Sequence, residues 1–327
     1  GAVPMGIGNK NLKWERTLSA NLGLDLTMFK GRWDFSADVY VKNTDNLLLD
    51  ITKAPSLGIT TSRENVGEVE NHGFEFQTRV IPIKNKDWEW SLSLNYAYNK
   101  NKIKKISNAL REQNEKNQAK GGVTPLPIYE EGQSLTALKV VSSAGIDPIT
   151  GNEVFIKRDG SLTFVYDPND KVVYGDTTPF GMGSLGSYLT YKQFSMGMSM
   201  RYSFGGAVYN QTLASKVEGA DPRYNADERV FSSRWKEVGQ QAKYKRISDS
   251  SVPMQTSRFV ETNNYITLSS LSLAYEVPLT FIKRYGLKRL HLEMLANDLF
   301  YLSSVKRERG LSYPYERSVE FSVRLGF

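Results

Sequence analysis

The chain has 327 residues, with 42 lysines and arginines against 35 aspartates and glutamates, and no cysteine. That length holds one large domain or two ordinary ones, and the missing cysteines exclude a disulfide framework and thiolate metal sites. Mean hydropathy is −0.43 and no run of eighteen apolar residues occurs, which excludes a transmembrane helix but not a barrel, whose strands alternate apolar and polar side chains.

The opening Gly1-Ala2-Val3-Pro4-Met5-Gly6 lacks the charged and apolar regions of a signal peptide, so either a leader was removed or the true N-terminus lies elsewhere. From Leu18 a period of two sets in. Leu18, Ala20, Leu22, Leu24, Leu26 and Met28 alternate with Ser19, Asn21, Gly23, Asp25 and Thr27. After a turn at Lys30-Gly31, Trp33, Phe35, Ala37, Val39 and Val41 alternate with Asp34, Ser36 and Asp38. Phe74, Phe76, Thr78 and Val80 follow against Glu75, Gln77 and Arg79, and a turn at Asn85-Lys86 leads into Trp88, Trp90, Leu92, Leu94, Tyr96 and Tyr98. Further on come Phe194, Met196, Met198, Met200, Tyr202 and Phe204, and finally Val319, Phe321, Val323, Leu325 and Phe327.

Successive strand side chains point to opposite faces, so each segment has one apolar and one polar face. That fits a sandwich or a barrel. The membrane is favoured because the runs last about 10–14 residues, beyond the about 5–6 of an average soluble strand. Aromatic residues also gather at the ends of the apolar faces, Trp88 and Trp90 at one end and Tyr96 and Tyr98 at the other, as interfacial girdles require. Short connections at Lys30-Gly31, Asn85-Lys86, Lys192-Gln193 and near Arg284-Gly286 alternate with long polar ones over 49–65, 104–182, 207–260 and 302–313. Short turns belong in the periplasm and long loops outside the cell. The first and last strands then run the same way, giving an odd count, about nine, or about eleven if Leu135–Ile146 and Asn152–Tyr166 are wall strands. Single-chain bacterial barrels have even counts and no free edge, so the expectation is an all-β, antiparallel transmembrane barrel of which these residues are a part.

Catalytic chemistry has little to stand on. His72 and His291 lie in strand-like stretches without a second metal-type ligand at useful spacing, and a structural or lumen-facing role is expected of both. Asp25, Asp34, Asp38, Glu75 and Glu89 fall on the polar face, where charge ladders with Arg32 and Arg79 are expected. No glycine-rich phosphate loop stands between a strand and a helix; no enzyme, cofactor or metal is expected. The basic stretch Lys100, Lys102, Lys104, Lys105, Arg111, Lys116 and Lys120 has no interleaved aromatics, so nucleic acid is not an expected partner. A solvated loop is the favoured reading, a lipopolysaccharide-facing or anion-facing patch the alternative. In the long loops, Asp227–Val238 is compatible with a helix. Its Trp235 is a candidate contact for substrate or lid, with packing against a neighbouring loop favoured. Gly121-Gly122 and Pro125 are a candidate hinge.

Leu12-Lys13-Trp14-Glu15, Asn21-Leu22-Gly23-Leu24-Asp25, Asp38-Val39-Tyr40, Thr44-Asp45-Asn46-Leu47-Leu48, Asn65-Val66-Gly67 and Asn71-His72-Gly73-Phe74-Glu75 occur in order. Gly145-Ile146-Asp147-Pro148 with Thr150-Gly151 comes next, then Tyr265-Ile266, Leu271-Ser272-Leu273, Asn297-Asp298-Leu299-Phe300 and Tyr313-Pro314. Over nearly its whole length the chain thereby resembles SusC/RagA-like TonB-dependent transporters of Bacteroidetes. The resemblance implies the C-terminal part of a barrel of about 22 strands with a plugged lumen, residues 1–327 carrying neither plug nor TonB box. It further implies active import of a large nutrient, an oligosaccharide or oligopeptide. The implied partners are a SusD-like surface lipoprotein as lid, TonB through regions absent here, the remaining N-terminal part of the same barrel, and outer-membrane lipid. Phe327 is then an assembly signal, its alternative being an ordinary apolar strand end. Two other classes stay open: a complete smaller porin-like or adhesin barrel without energy coupling, and a soluble lectin-like β protein.

Overall fold

Strands dominate because apolar residues, many of them aromatic, recur at every second position while glycine and lysine punctuate the reversals. The computed structural model describes residues 9–52, 61–221, 223–224, 226–308 and 317–327. The opening Gly1–Gly6 segment and the Tyr313-Pro314 motif lie outside the described residues.

The strands are β1 (Arg16–Met28), β2 (Trp33–Thr52), β3 (Thr61–Lys84) and β4 (Trp88–Ile106), then, after helix α1 (Asn108–Ala119), β5 (Ala137–Ile146), β6 (Glu153–Ile156), β7 (Leu162–Thr163) and β8 (Lys171–Asp176). There follow β9 (Gly181–Tyr191), β10 (Phe194–Tyr209), β11 (Val260–Glu276), β12 (Arg289–Ser303) and β13 (Ser318–Gly326). Nine of them form one sheet in the order β1-β2-β3-β4-β9-β10-β11-β12-β13, every neighbouring pair antiparallel. β5 to β8 form a separate four-stranded sheet. Residues 135–146 and 152–166 therefore belong to an outer loop, and the lower strand count holds. The sheet stays open: β1 and β13 both finish at the short-turn end and are not paired with each other.

The apolar face of this sheet is bare. Leu22 is 74% exposed, Phe321 78% and Val323 63%, while Leu92 and Met198 are only half-buried. Among the described residues no second sheet covers them, which rules out a sandwich core. Most of the buried apolar residues gather at the other end of the strands: Ala214, Val217, Tyr244 and Phe259 form one cluster, and Ile51, Val66 and Leu110 another. A water-soluble protein would bury its wall and expose its loops; here the packed core lies in the loops, and lipid is the solvent for the wall.

Ring contacts mark both rims of the apolar band. Trp88 stacks on Tyr191 at 4.1 Å and Phe194 meets Tyr275 at 4.4 Å near the short turns. Phe74 with Tyr96 and Tyr98, and Tyr202 with Phe204, mark the opposite rim. From Trp88 to Tyr98 the strand climbs roughly 33 Å at about 3.3 Å per residue, or about 25 Å along the membrane normal at a tilt of about 40°, the height of a lipid-facing band. Glycines let aromatic side chains tie the strands sideways. Tyr202 crosses Gly183 to donate to the Asn95 carbonyl at 2.6 Å, and a Cβ at Gly183 would lie 2.6 Å from that hydroxyl.

Several expectations need correction. The strands outrun the alternating segments: β2 has 20 residues and β3 24, so part of 49–65 is strand, with 53–60 outside the described residues. The connection near Arg284-Gly286 is longer than a tight turn, holding the helical turns Leu279–Ile282 and Lys283–Tyr285. The segment Asp227–Val238 is not a helix; only Glu228–Val230 makes a 3-10 turn, and Ser233 takes a φ of 58° that breaks any continuation. Instead the helix is α1, within the connection assigned to a loop.

Candidate functional site in the outer loops

The two longest connections fold into one cross-linked body above the wall. Helix α1 starts where Ser107 Oγ accepts from the Leu110 amide at 3.3 Å. It ends on the fully buried Lys171, whose Nζ donates to the carbonyls of Asn117, Gln118 and Lys120 at 3.0–3.3 Å. This ammonium satisfies carbonyls that the helix end leaves open; burial draws it below the ordinary lysine range. Asn114 fixes the helix sideways by exchanging hydrogen bonds with the Tyr129 backbone.

Arg258 is the centre of the body. Its guanidinium makes bidentate pairs with Glu153 of β6 at 2.6 and 2.7 Å and with Glu218 at 2.7 and 2.8 Å. All three side chains are at least nine-tenths buried. Burial opposes the charge on Arg258, but the hydrogen bonds it donates to both carboxylates outweigh it and hold its pKa above the usual arginine value. Arg234, 3% exposed, instead donates to the carbonyls of Val217, Glu218, Val230 and Lys245. Here burial is the largest influence and lowers its pKa. One cation thus joins β6 to the start of β11, and the other gathers three turns of the second long connection.

Between these turns lies a cleft of about 560 Å³ with a polar side at Arg223, Asp249 and Ser251 and an apolar side at Ile247, Val252 and Pro253. Arg223 is exposed and paired with Asp221 at 2.6 Å. Asp249 accepts from Lys245 Nζ at 2.9 Å; although burial pushes its carboxyl up, hydrogen bonds from Ser251 and Lys245 hold it down at about 2. Arginine, carboxylate and hydroxyl beside an apolar wall can hydrogen-bond and cover one unit of a polymeric solute.

Trp235 sits beside this cleft and outside its lining. Its Nε1 donates to the Pro148 carbonyl at 2.8 Å, and a Cβ at Gly151, whose φ is +69°, would meet its ring at 2.6 Å. Asp147 shapes the same turn by accepting from the Thr150 amide and hydroxyl. The tryptophan therefore packs on the 145–151 turn of the other long connection. Phe327 follows β13, 79% exposed, in step with Val323 and Leu325 on the apolar side.

The histidines part company. On the polar face, His291 Nδ1 lies 2.9 Å from Glu276, which also pairs with Arg289, while Arg324 pairs with Glu293. His72 shares the apolar-band side with Phe74, which leaves it the structural and not the lumen-facing half of the expectation. Of the expected ladder at Arg32 and Arg79, Asp34 stands opposite Arg79 across β2 and β3, whereas Arg32 donates to the Lys84 carbonyl and Asp38 stands opposite Glu75, a like charge. Among the described residues no group of three His, Cys, Asp or Glu is placed to hold a metal.

The family model described as TonB dependent receptor-like, beta-barrel, matches residues 2–293. TonB-dependent receptor P3 of Formosa agariphila is 30% identical over 318 residues, covering 91% of this chain and 31% of that protein. TonB-dependent receptor SusC of Bacteroides thetaiotaomicron is 31% identical over 218 residues, covering 64% of this chain and 21% of its own length. The RagAB peptide importer in its open-open state shares the fold with a TM-score of 0.79 at 21% identity, over 99% of this chain and 36% of that one. The chain spans about a third of the length of the curated relatives it matches over most of its residues. These relatives are receptors and not enzymes, and a bare apolar band with polar loops at one end is what an outer-membrane wall requires. The chain belongs to the TonB-dependent receptor β-barrel family.

Proposed function

We propose that the intact protein actively imports a large solute, an oligosaccharide or oligopeptide, across the outer membrane. Residues 1–327 would be the C-terminal part of its barrel, completed by strands from the rest of the same protein. TonB would supply the work of moving a plug, and a SusD-like surface lipoprotein would close the outer mouth against the loops. The supporting observation is the combination of a nine-stranded wall, bare on its apolar face, with an outer-loop body locked by Arg258 and Arg234. Such a body is stiff enough to present the cleft at Arg223 and Asp249 as one surface to a solute. RagAB is a peptide importer by name, and peptide is accordingly one arm of the test. Trp235 holds the two long connections together in this reading.

The test is uptake by cells producing the full-length receptor, offered labelled oligosaccharide and oligopeptide pools with and without TonB. Saturable, TonB-dependent uptake of one pool is expected. Uptake that is TonB-independent and linear in concentration would instead establish the passive porin-like barrel. We further propose that Phe327 is read during barrel assembly; deleting it should lower surface levels severalfold on quantitative blots, and unchanged levels would refute that role.

A further inference from the structure

The basic stretch that follows Tyr98 is not a uniform solvated loop. Through Trp88, Trp90, Leu92, Leu94, Tyr96 and Tyr98 the even positions of β4 form the apolar face, and Lys100 and Lys102 continue the same parity directly above the aromatic rim. The alternate positions confirm the facing. Asn101 and Ile103 are buried beneath the segment around residues 133–135, with Ile103 N donating to the Gln133 carbonyl and Asn101 Oδ1 accepting from the Leu135 amide. A bulge adds Lys104 to the outer side, where it pairs with Glu70 at 2.8 Å. His72 lies 3.8 Å from the same carboxylate, and Glu68 stands opposite Lys105. Lys100 stands opposite His72 and Lys102 opposite Glu70, whose closer partner is Lys104, and both lysines are exposed.

A lysine on the lipid face is costly at the bilayer midplane and nearly free at its interface. With the apolar band about 25 Å tall, Lys100 and Lys102 stand in the headgroup layer of the outer leaflet, stems along the aromatic rim and ammonium groups outward. The matching ligand chemistry is a phosphate carried by a lipid, because acyl chains would cover Phe74, Tyr96 and Tyr98 while the headgroup meets the two cations. We propose that the outer end of the β3–β4 face binds a phosphorylated lipid of the outer leaflet. The site lies on the opposite side of the wall from the solute path and does not rest on the import reading.

Full-length receptor in detergent, delipidated and then offered phosphorylated lipid A, dephosphorylated lipid A or inorganic phosphate, provides the test, read by lipid retained in native mass spectrometry. Phosphorylated lipid A should be retained on the order of tenfold more by the native protein than by the Lys100→Gln/Lys102→Gln variant. Lys100→Arg/Lys102→Arg should keep it, and Lys116→Gln/Lys120→Gln, an equal charge loss elsewhere, should match the native protein. Equal retention by the Lys100→Gln/Lys102→Gln variant, equal retention of dephosphorylated lipid, or full competition by inorganic phosphate would each overturn the assignment. Heat-modifiable migration on gels verifies that each variant is a folded barrel.

Discussion

Arg258 is the side chain on which the outer body depends most. Its two carboxylate partners lie 105 and 40 residues away. Replacing it with methionine leaves Glu153 and Glu218 buried without a cation, a loss of about 3–5 kcal/mol in the loops. Hydrogen exchange should show faster opening of β6 and the 213–218 turn with the wall unaffected; unchanged protection there would contradict the assignment. Replacing the whole triad, with Glu153→Leu and Glu218→Leu added, should recover much of the loss. Asp249 gives a pH dependence of known sign. Its carboxyl is depressed to about 2 in the fold, against about 3.9 for an unfolded aspartate. Its anchoring is thus fully present above the unfolded value and vanishes as pH falls through the folded one. Protease susceptibility of residues 245–251 should rise between about pH 4 and pH 2, and Asp249→Asn should show the raised susceptibility at neutral pH. If that variant cuts no faster at pH 7, the anchor is unimportant.

Among the elements, the wall strands were legible and α1 was not. A period of two states which side of a strand meets lipid, so the facing of Leu92, Met198 and Val323 is written in the sequence itself. A direct check follows. Leu92→Lys puts a charge near mid-bilayer and should cost about 2–4 kcal/mol in vesicle unfolding, whereas Ser93→Lys on the polar face should cost under about 1. Equal costs would mean that the faces are misassigned. Helix α1 escaped because it lacks an apolar stripe: only Leu110 and Asn114 are buried, and polar bonds from Asn114 and Lys171 hold it. Ser107 was its one local signal. Asp227–Val238 erred in the opposite direction, since helix-compatible composition carries no notice of the carbonyls that claim Arg234 or of the positive φ at Ser233. The cleft was equally hidden, for its lining, Val123 apart, comes from separate turns within residues 215–253 that share no periodicity.

For the molecule as a whole, the division of labour between wall and loops follows from where each can find stabilisation. The wall has hydrogen-bonded neighbours and lipid, and needs no packed interior. The loop body has water around it and therefore builds its own apolar clusters and buried ion pairs. The parity of the strands reaches further still. Because β1 and β13 run the same way, each keeps one row of amide and carbonyl groups with no strand beside it. Hydrocarbon offers such groups no substitute partner, and in water a bare rim is a template for another copy. A polypeptide limited to these staves would join to its own kind, rim against rim, and come out of solution as fibrous polymer; further staves laid between the two rims would turn that polymerising strip into a closed vessel.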